Sequence, residues 1–135
     1  MNCAWPFEAA PGRAAFRLAL ARTLSDAKRF DEADAEYQRL LELEPQNADA
    51  HIGRGALSAE RGQLDRAAAQ LARGLDLQPR HHAARIYLAD VLTRLGRHPQ
   101  ARVEYQRLIA GNDVPSQIRL LAQRGLQALD TVAPR

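Results

Sequence analysis

The sequence has one cysteine, few aromatic residues and no long apolar run. Because Cys3 is alone, an internal disulfide and a metal site built on several thiolates are both excluded. No stretch approaches the roughly 18–20 apolar residues of a membrane span, and no basic region followed by a long apolar region marks a secretory signal. We therefore expect a cytoplasmic protein without a membrane span.

The composition favours helices. Aromatic residues make up 5% of the 135 residues, and the β-branched, aromatic-rich runs of strands are missing. Alanine and leucine, which are strong helix formers, dominate together with arginine. With 46% apolar residues the chain can bury a core, and its length suits one domain. The composition predicts an all-α protein.

The charges are unevenly distributed along the chain. Residues 1–77 carry 10 basic and 12 acidic side chains, whereas residues 78–135 carry 9 basic and 4 acidic ones. An acidic front and a basic rear make head-to-tail self-association possible, although a simple solvated surface also explains them. Lys28 is the single lysine among 19 basic residues, and this preference for arginine is typical of a high-GC bacterial genome.

The chain repeats itself with a constant period. Prolines, alanines and arginines recur at this interval, and Tyr37-Gln38-Arg39-Leu40 returns two periods later as Tyr105-Gln106-Arg107-Leu108. The recurring positions are Pro11, Pro45 and Pro79; Ala33, Ala67 and Ala101; and Arg39, Arg73 and Arg107. Their spacing, about 34 residues, is the length of a helix–turn–helix unit. The pattern predicts hairpins at 14–47, 48–81 and 82–115, after an N-terminal segment 1–13.

Within each unit the apolar pattern predicts two helices. The expected helices are roughly Ala14–Ala27, Asp31–Glu44, Ala48–Arg61, Leu64–Leu77, Ala83–Leu95 and His98–Ala110. Small residues at Ala21, Gly55 and Ala89, facing the recurring alanines, should allow close helix crossings. Gly62 and Gly96 should end the first helices of their units in a left-handed conformation. Residues 116–130 predict one more amphipathic helix, a cap within residues 116–135.

These repeats resemble the tetratricopeptide repeat (TPR) family over about residues 14–115. The resemblance rests on strings such as Gly55…Gly62…Ala67…Leu71…Pro79. The tryptophan that the family has near the start of the first helix is replaced by Arg17, His51 and Arg85. The resemblance implies a right-handed superhelical α-solenoid whose concave face is lined mainly by the first helices.

The same resemblance implies a groove that binds a peptide or helix of a partner protein. The expected groove residues are Leu18, Arg22, Asp26, Asp49, Ile52, Glu60, Ile86, Asp90 and Arg94. One family subtype clamps two carboxylates with Lys, Asn, Asn, Lys and Arg. The corresponding residues here are Leu18, Arg22, Gly53, Ala83 and Tyr87, so we do not expect that clamp.

No constellation of residues predicts catalysis. His51, His81, His82 and His98 lack metal-ligand spacing, so we expect surface or interface histidines and no metal or cofactor. The acidic cluster beginning at Asp31 opens a helix, where acids stabilise the positive helix end. Basic residues are scattered without interleaved aromatics, so nucleic-acid binding is not expected. The chain is not expected to be an enzyme.

Three functions remain open. The first is an adaptor or scaffold that grips a partner protein. The second is a bacterial secretion-type chaperone for one client subunit, and the third is a targeting domain of a larger enzyme. Trp5 and Phe7 near the N-terminus are expected to pack on the first hairpin, or else to enter a neighbour's groove or serve as a binding epitope.

Overall fold

The computed structural model describes residues 13–132, and within this range it is an all-α solenoid of helices joined by short turns. The helices are α1 Arg13–Asp26, α2 Phe30–Leu43, α3 Ala48–Glu60, α4 Leu64–Leu77, α5 His82–Arg94, α6 His98–Ala110 and α7 Ser116–Val132. Consecutive pairs form three antiparallel hairpins, and α7 packs against α5 and α6. The predicted fold class is confirmed. The expectations for Trp5 and Phe7 concern residues outside the described range.

The turns inside the hairpins share one backbone conformation. Gly62 and Gly96 follow the first helices of their hairpins with φ of 77° and 80°, as predicted. Lys28 occupies the same repeat position in the first hairpin and adopts φ of 64°, which is uncommon for a residue with a side chain. The repeat geometry therefore requires a left-handed residue at this position whatever the amino acid.

The helices cross closely where small residues face each other. Ala21, Ala89 and the recurring alanines Ala33, Ala67 and Ala101 are fully buried. A Cβ added at Gly55 would lie 2.8 Å from the Leu71 side chain, so a larger residue does not fit there. The predicted crossings are confirmed, and they give the interior the density of close-packed side chains.

Most helix ends differ from the sequence prediction by one or two residues. Helices α4 and α6 have the predicted bounds, whereas α1, α2 and α5 begin and end one residue earlier than expected. Helix α2 begins at Phe30, which places Asp31 and Glu32 in its first turn beside the positive end of the helix dipole. Helix α3 ends one residue early at Glu60, and α7 continues two residues further to Val132.

Helix α7 is displaced by one turn relative to the repeat register. The Tyr37 ring lies over Gly53, and the register predicts that the equivalent Tyr105 ring lies over Leu121. The Tyr105 ring instead lies over Gly125, one helical turn further along α7. The linker 111–115 before α7 is one residue longer than the linkers 44–47 and 78–81. Helix α7 therefore has an extra turn before this contact.

The buried residues form two clusters. The first joins α1, α2 and one side of α3 around Tyr37, Leu40 and Leu57. The second continues from the other side of α3 through α7 and includes Leu71, Leu108 and Leu129. Helix α3 contributes to both clusters and therefore links the first hairpin to the rest of the solenoid.

Candidate functional site

Side-chain caps set the start of α3 and α5, the first helices of the second and third hairpins. The Asn47 side chain accepts a hydrogen bond from the Ala50 amide at 3.0 Å. One repeat later, His81 Nδ1 accepts from the Ala84 amide at 3.1 Å. Each cap satisfies an amide at the open end of its helix. His81 thus has a structural role as a helix cap. Within residues 13–132 no group of three or more side chains is placed to hold a metal ion.

A first cavity of about 280 Å³ lies where α1, α3 and α5 meet. Four of the predicted groove residues line it, namely Arg22, Asp26, Ile52 and Glu60. The other lining residues are Ser25, Tyr37, Gly53, Ala56, His81, Ala83 and Tyr87. Except for Tyr37 and His81, every lining residue lies on a first helix. The cavity therefore opens on the side of the solenoid where the sequence predicts a groove.

Tyr37 supplies the buried polar residue of this cavity. The residue is only 2% exposed, and a Cβ at Gly53 would lie 2.5 Å from its hydroxyl oxygen. The hydroxyl lies at the cavity wall and has no hydrogen-bond partner among the described residues. Burial raises the pKa of Tyr37, nearby Arg22 opposes this rise and Asp26 adds to it. The phenol therefore stays neutral at ordinary pH and offers a proton to an acceptor in the cavity.

Charges of both signs surround the mouth of the first cavity. Glu60 accepts a hydrogen bond from Lys28 at 2.9 Å, so its charge is partly satisfied. Arg22 is exposed and makes no hydrogen bond or ion pair with another described residue. Its guanidinium can therefore pair with an acidic group on a ligand.

A second cavity of about 320 Å³ lies between α5, α6 and α7. Its lining residues are Ile86, Tyr87, Asp90, Tyr105, Leu121 and Gly125. Ile86 and Asp90 are predicted groove residues, and Asp90 lies 3.9 Å from Arg94. Tyr87 is about half exposed and lines both cavities, so it forms the ridge between them. The two cavities together make a continuous surface with an aromatic centre.

Three predicted residues, Leu18, Asp49 and Arg94, line neither of the two cavities. Leu18 is partly buried and packs against the first core cluster. Asp49 lies 3.8 Å from His81 Nε2. Ile52 lines the first cavity but is only 8% exposed and lies against Gly74 of α4, so it belongs both to the cavity wall and to the core.

Sequence reasoning missed the tyrosines and Leu121. Tyr37 and Tyr105 are buried core residues, but each also lines a cavity. Leu121 lies in the amphipathic segment predicted at 116–130, where an apolar residue is expected to face inward, whereas the structure leaves it half exposed. The recurrence of tyrosine in hairpins one and three was the available signal for these positions.

Comparison with known proteins agrees with this architecture. The tetratricopeptide repeat profile matches residues 18–74 and again residues 57–115. Mouse tetratricopeptide repeat protein 14 is 38% identical over 68 residues, which are 50% of this chain and 9% of that protein. The chain thus spans only a small part of this curated relative.

Solved structures are similar over nearly the whole chain. The Yersinia enterocolitica type III secretion chaperone SycD, in complex with a peptide of the translocator YopD, superposes with a TM-score of 0.80 at 19% identity. The alignment covers 90% of this chain and 95% of SycD.

A fungal TPR domain is also similar in structure. The Sgt2 TPR domain from Aspergillus fumigatus gives a TM-score of 0.77 at 19% identity, over 90% of this chain and 79% of that one. None of the helices described between residues 13 and 132 is long and apolar enough to cross a bilayer. The chain belongs to the tetratricopeptide repeat family.

Proposed function

We propose that this chain is an adaptor that binds a peptide or a helix of a partner protein along the surface formed by the two cavities. The observation that carries the proposal is the Tyr37 hydroxyl, which belongs to a buried residue, has no partner among the described residues and lies at the cavity wall. The hydroxyl is not among the fully buried side-chain atoms without a partner, so it faces the cavity and can donate to a ligand acceptor there in place of solvent. Binding, and not catalysis, is the expected activity.

The size and spacing of the cavities favour a peptide over a small molecule. Each cavity, at about 280 and 320 Å³, is at or below the lower end of the roughly 300–1,000 Å³ of drug-sized sites. Each therefore has room for one large side chain of an extended or helical segment. Tyr87 separates the two positions and offers its ring to the ligand between them. The surface is already formed, so little ordering cost arises on this side.

The charges favour a partner of mixed sign. Arg22, which has no ion-pair partner within residues 13–132, can pair with an acidic side chain at the first cavity. Asp90 stands at the second cavity with a long 3.9 Å contact to Arg94, so it can accept from a basic or hydroxyl side chain. We infer a segment with an apolar anchor at each cavity, an acid near the first and a donor near the second.

Capture of partners from a bacterial lysate tests the proposal. The immobilised wild-type chain is compared with a double variant, Arg22→Glu with Tyr87→Arg, in which both residues are exposed. The matched control is Arg73→Glu with Val103→Arg, which makes the same kinds of change at exposed positions away from the cavities. Bound proteins are identified by mass spectrometry, and circular dichroism checks that each variant is helical.

The comparison of the three proteins decides between two outcomes. A partner that binds the wild type and the control but not the groove variant supports the proposed surface. Equal recovery by all three proteins contradicts it and moves the binding site to another face.

A secretion-type chaperone is the second candidate. The similarity to SycD covers 90% of this chain and 95% of SycD, and that structure holds a peptide of the translocator YopD. A chaperone keeps one client soluble, whereas an adaptor does not alter its partner's solubility. The captured partner is therefore expressed alone and together with this chain. Solubility that depends on this chain supports the chaperone, and a partner that is soluble alone excludes it.

A further inference from the structure

A third cavity, with a volume of about 430 Å³, lies between α4 and α6 and is larger than the first two. Leu88 and Leu92 of α5 form its floor, and Ala69 and Ala72 of α4 belong to one wall. Each of these leucines is two residues from Asp90, which lines the second cavity, so the leucines lie on the opposite side of α5. The third cavity therefore opens on the convex side of the solenoid.

The equivalent position between the first two hairpins is filled by a polar bridge. Arg54 of α3 donates a hydrogen bond to Asp34 of α2 at 2.8 Å, and both side chains are largely buried. One repeat period later these two positions are Leu88 and Ala68, and both line the third cavity. The third cavity is open because the second interface lacks the side chains of this bridge.

The charged side chains that line the third cavity are already paired. Asp65 accepts a hydrogen bond from Arg97 at 2.8 Å, and Glu104 accepts one from Arg85 at 2.6 Å. The cavity thus offers an apolar floor and a small apolar wall between satisfied ion pairs. Its volume leaves room for about two aliphatic side chains, which one face of a helix supplies at positions i and i+4.

Three arginines without partners border the third cavity. Arg66 and Arg73 are three and four residues from Ala69 on α4, and Arg107 is one turn beyond the part of α6 that lines the cavity. All three are exposed, and their side chains make no ion pair or hydrogen bond with another described residue. Asp76 of α4 is an exposed acid near this border, which therefore has three positive charges and one negative charge.

We propose that the third cavity is a second docking site, separate from the concave surface, and that it accepts an acidic amphipathic helix of another protein. Two aliphatic residues of that helix, one turn apart, enter the cavity above its leucine floor. Acidic residues beside them pair with Arg66, Arg73 and Arg107. Apolar anchors at helical spacing provide the contact area, and the complementary charges fix the orientation. An adaptor with a site on each side can hold two partners at once.

Three capped synthetic peptides of about 18 residues test the occupant. The acidic peptide has leucines at i and i+4 with glutamates beside them. The second peptide has lysines in place of the glutamates, and the third has glutamines in place of the leucines. Circular dichroism measures the helicity of each peptide, and fluorescence anisotropy of the labelled peptides measures binding. We expect the second and third peptides to bind roughly tenfold more weakly than the acidic peptide.

Matched variants one repeat apart locate the binding. Ala69→Gln narrows the third cavity without a change of charge, and Arg73→Glu reverses a charge at its border. The controls Ala35→Gln and Arg39→Glu make the same changes at the equivalent positions of α2, and all four residues are exposed. We expect Ala69→Gln and Arg73→Glu each to weaken binding of the acidic peptide by roughly tenfold and the controls to leave it unchanged. Arg73→Glu should also strengthen binding of the lysine peptide.

The concave-surface variant, Arg22→Glu with Tyr87→Arg, separates this proposal from the proposed function. The acidic peptide should bind this variant as tightly as the wild type, and a loss of binding there would place the peptide in the first two cavities and overturn the proposal. Equal binding of all three peptides, or no binding of the acidic peptide up to about 1 mM, would also overturn it. The same holds if Ala69→Gln lowers the mass of the chain in light scattering, because the third cavity then holds a second copy.

Discussion

At the residue scale, an arginine–glutamate pair replaces the family's tryptophan in two of the hairpins. Arg17 pairs with Glu36 at 2.8 Å, and Arg85 pairs with Glu104 at 2.6 Å, with all four side chains largely buried. The middle hairpin has His51 at this position, and its ring contacts the Pro45 carbonyl at 2.9 Å. At the position where the family usually packs an indole, hairpins one and three therefore have a polar contact between their two helices. The middle hairpin has a polar contact with the turn that precedes it.

Removing one partner of the Arg85–Glu104 pair should destabilise the protein more than replacing both partners with apolar residues. We expect Glu104→Ala to lower the free energy of unfolding by about 2–3 kcal/mol, because it leaves the largely buried Arg85 charge without an anionic partner and with only its hydrogen bond to the Pro79 carbonyl. The double variant Arg85→Met with Glu104→Leu should lose less. Chemical denaturation measures both, and a single variant as stable as the double variant would contradict this explanation.

Tyr37→Phe should separate function from stability. The hydroxyl makes no hydrogen bond to the described residues, so its loss should change the unfolding free energy by less than about 0.5 kcal/mol. Affinity for a captured partner should fall by roughly five- to tenfold, because one hydrogen bond is worth about 1 kcal/mol. Isothermal titration measures the affinity, and an unchanged value would remove Tyr37 from the binding site.

The same variant should also alter the response to alkaline pH. Because burial raises the pKa of Tyr37 in the folded protein, the unfolded chain ionises first above about pH 10. The wild type therefore loses stability as the pH rises above that value, and the part of this loss due to Tyr37 should be absent from Tyr37→Phe. Chemical denaturation of both proteins at neutral and alkaline pH measures the difference, and identical losses would contradict it.

At the element scale, the position of α7 depends on the contact between the Tyr105 ring and Gly125. A Cβ at Gly125 would collide with the Tyr105 ring, so Gly125→Ala should destabilise the protein by about 1–3 kcal/mol. The smaller side chain in Tyr105→Leu should recover part of this loss when the two changes are combined. Thermal unfolding of the single and double variants checks this, and strictly additive losses would show that the ring does not position α7.

The repeat period was enough to predict the hairpins, because Ala33, Ala67 and Ala101 recur wherever two helices must approach closely. It was not enough to predict the one-turn displacement of α7, which accompanies the longer linker and the contact of Tyr105 with Gly125. The cavities were only half predictable for a similar reason. Tyr37 lies on a second helix, and the sequence alone does not show that its hydroxyl reaches past Gly53 to the concave side.

At the scale of the whole molecule, the two core clusters predict unequal local stability. The first hairpin packs around the smaller cluster, and Phe16 of α1 is exposed to solvent. We expect backbone amides of α1 and α2 to exchange with solvent roughly tenfold faster than those of α4 and α5, a difference of about 1.4 kcal/mol. Hydrogen exchange followed by mass spectrometry measures this, and uniform protection would mean that the clusters unfold together.

The uneven charge of the chain predicts salt-dependent self-association. An acidic first part and a basic last part attract each other between copies, and salt screens that attraction. Light scattering should give a mass above that of the monomer at about 0.02 M salt and a monomer at about 0.5 M salt. A monomer at both concentrations would exclude head-to-tail association.

The alternation between hairpins determines where the chain can be divided and recombined. Hairpins one and three share a buried ion pair and a tyrosine seated on the following helix, whereas the middle hairpin has Leu71 packed on its own Gly55. Tyr37 of the first hairpin contacts Gly53 of the second, so this contact crosses a hairpin boundary. Chimaeras that exchange the first two hairpins together should keep Tyr37 with Gly53, while exchange of the first hairpin alone separates them.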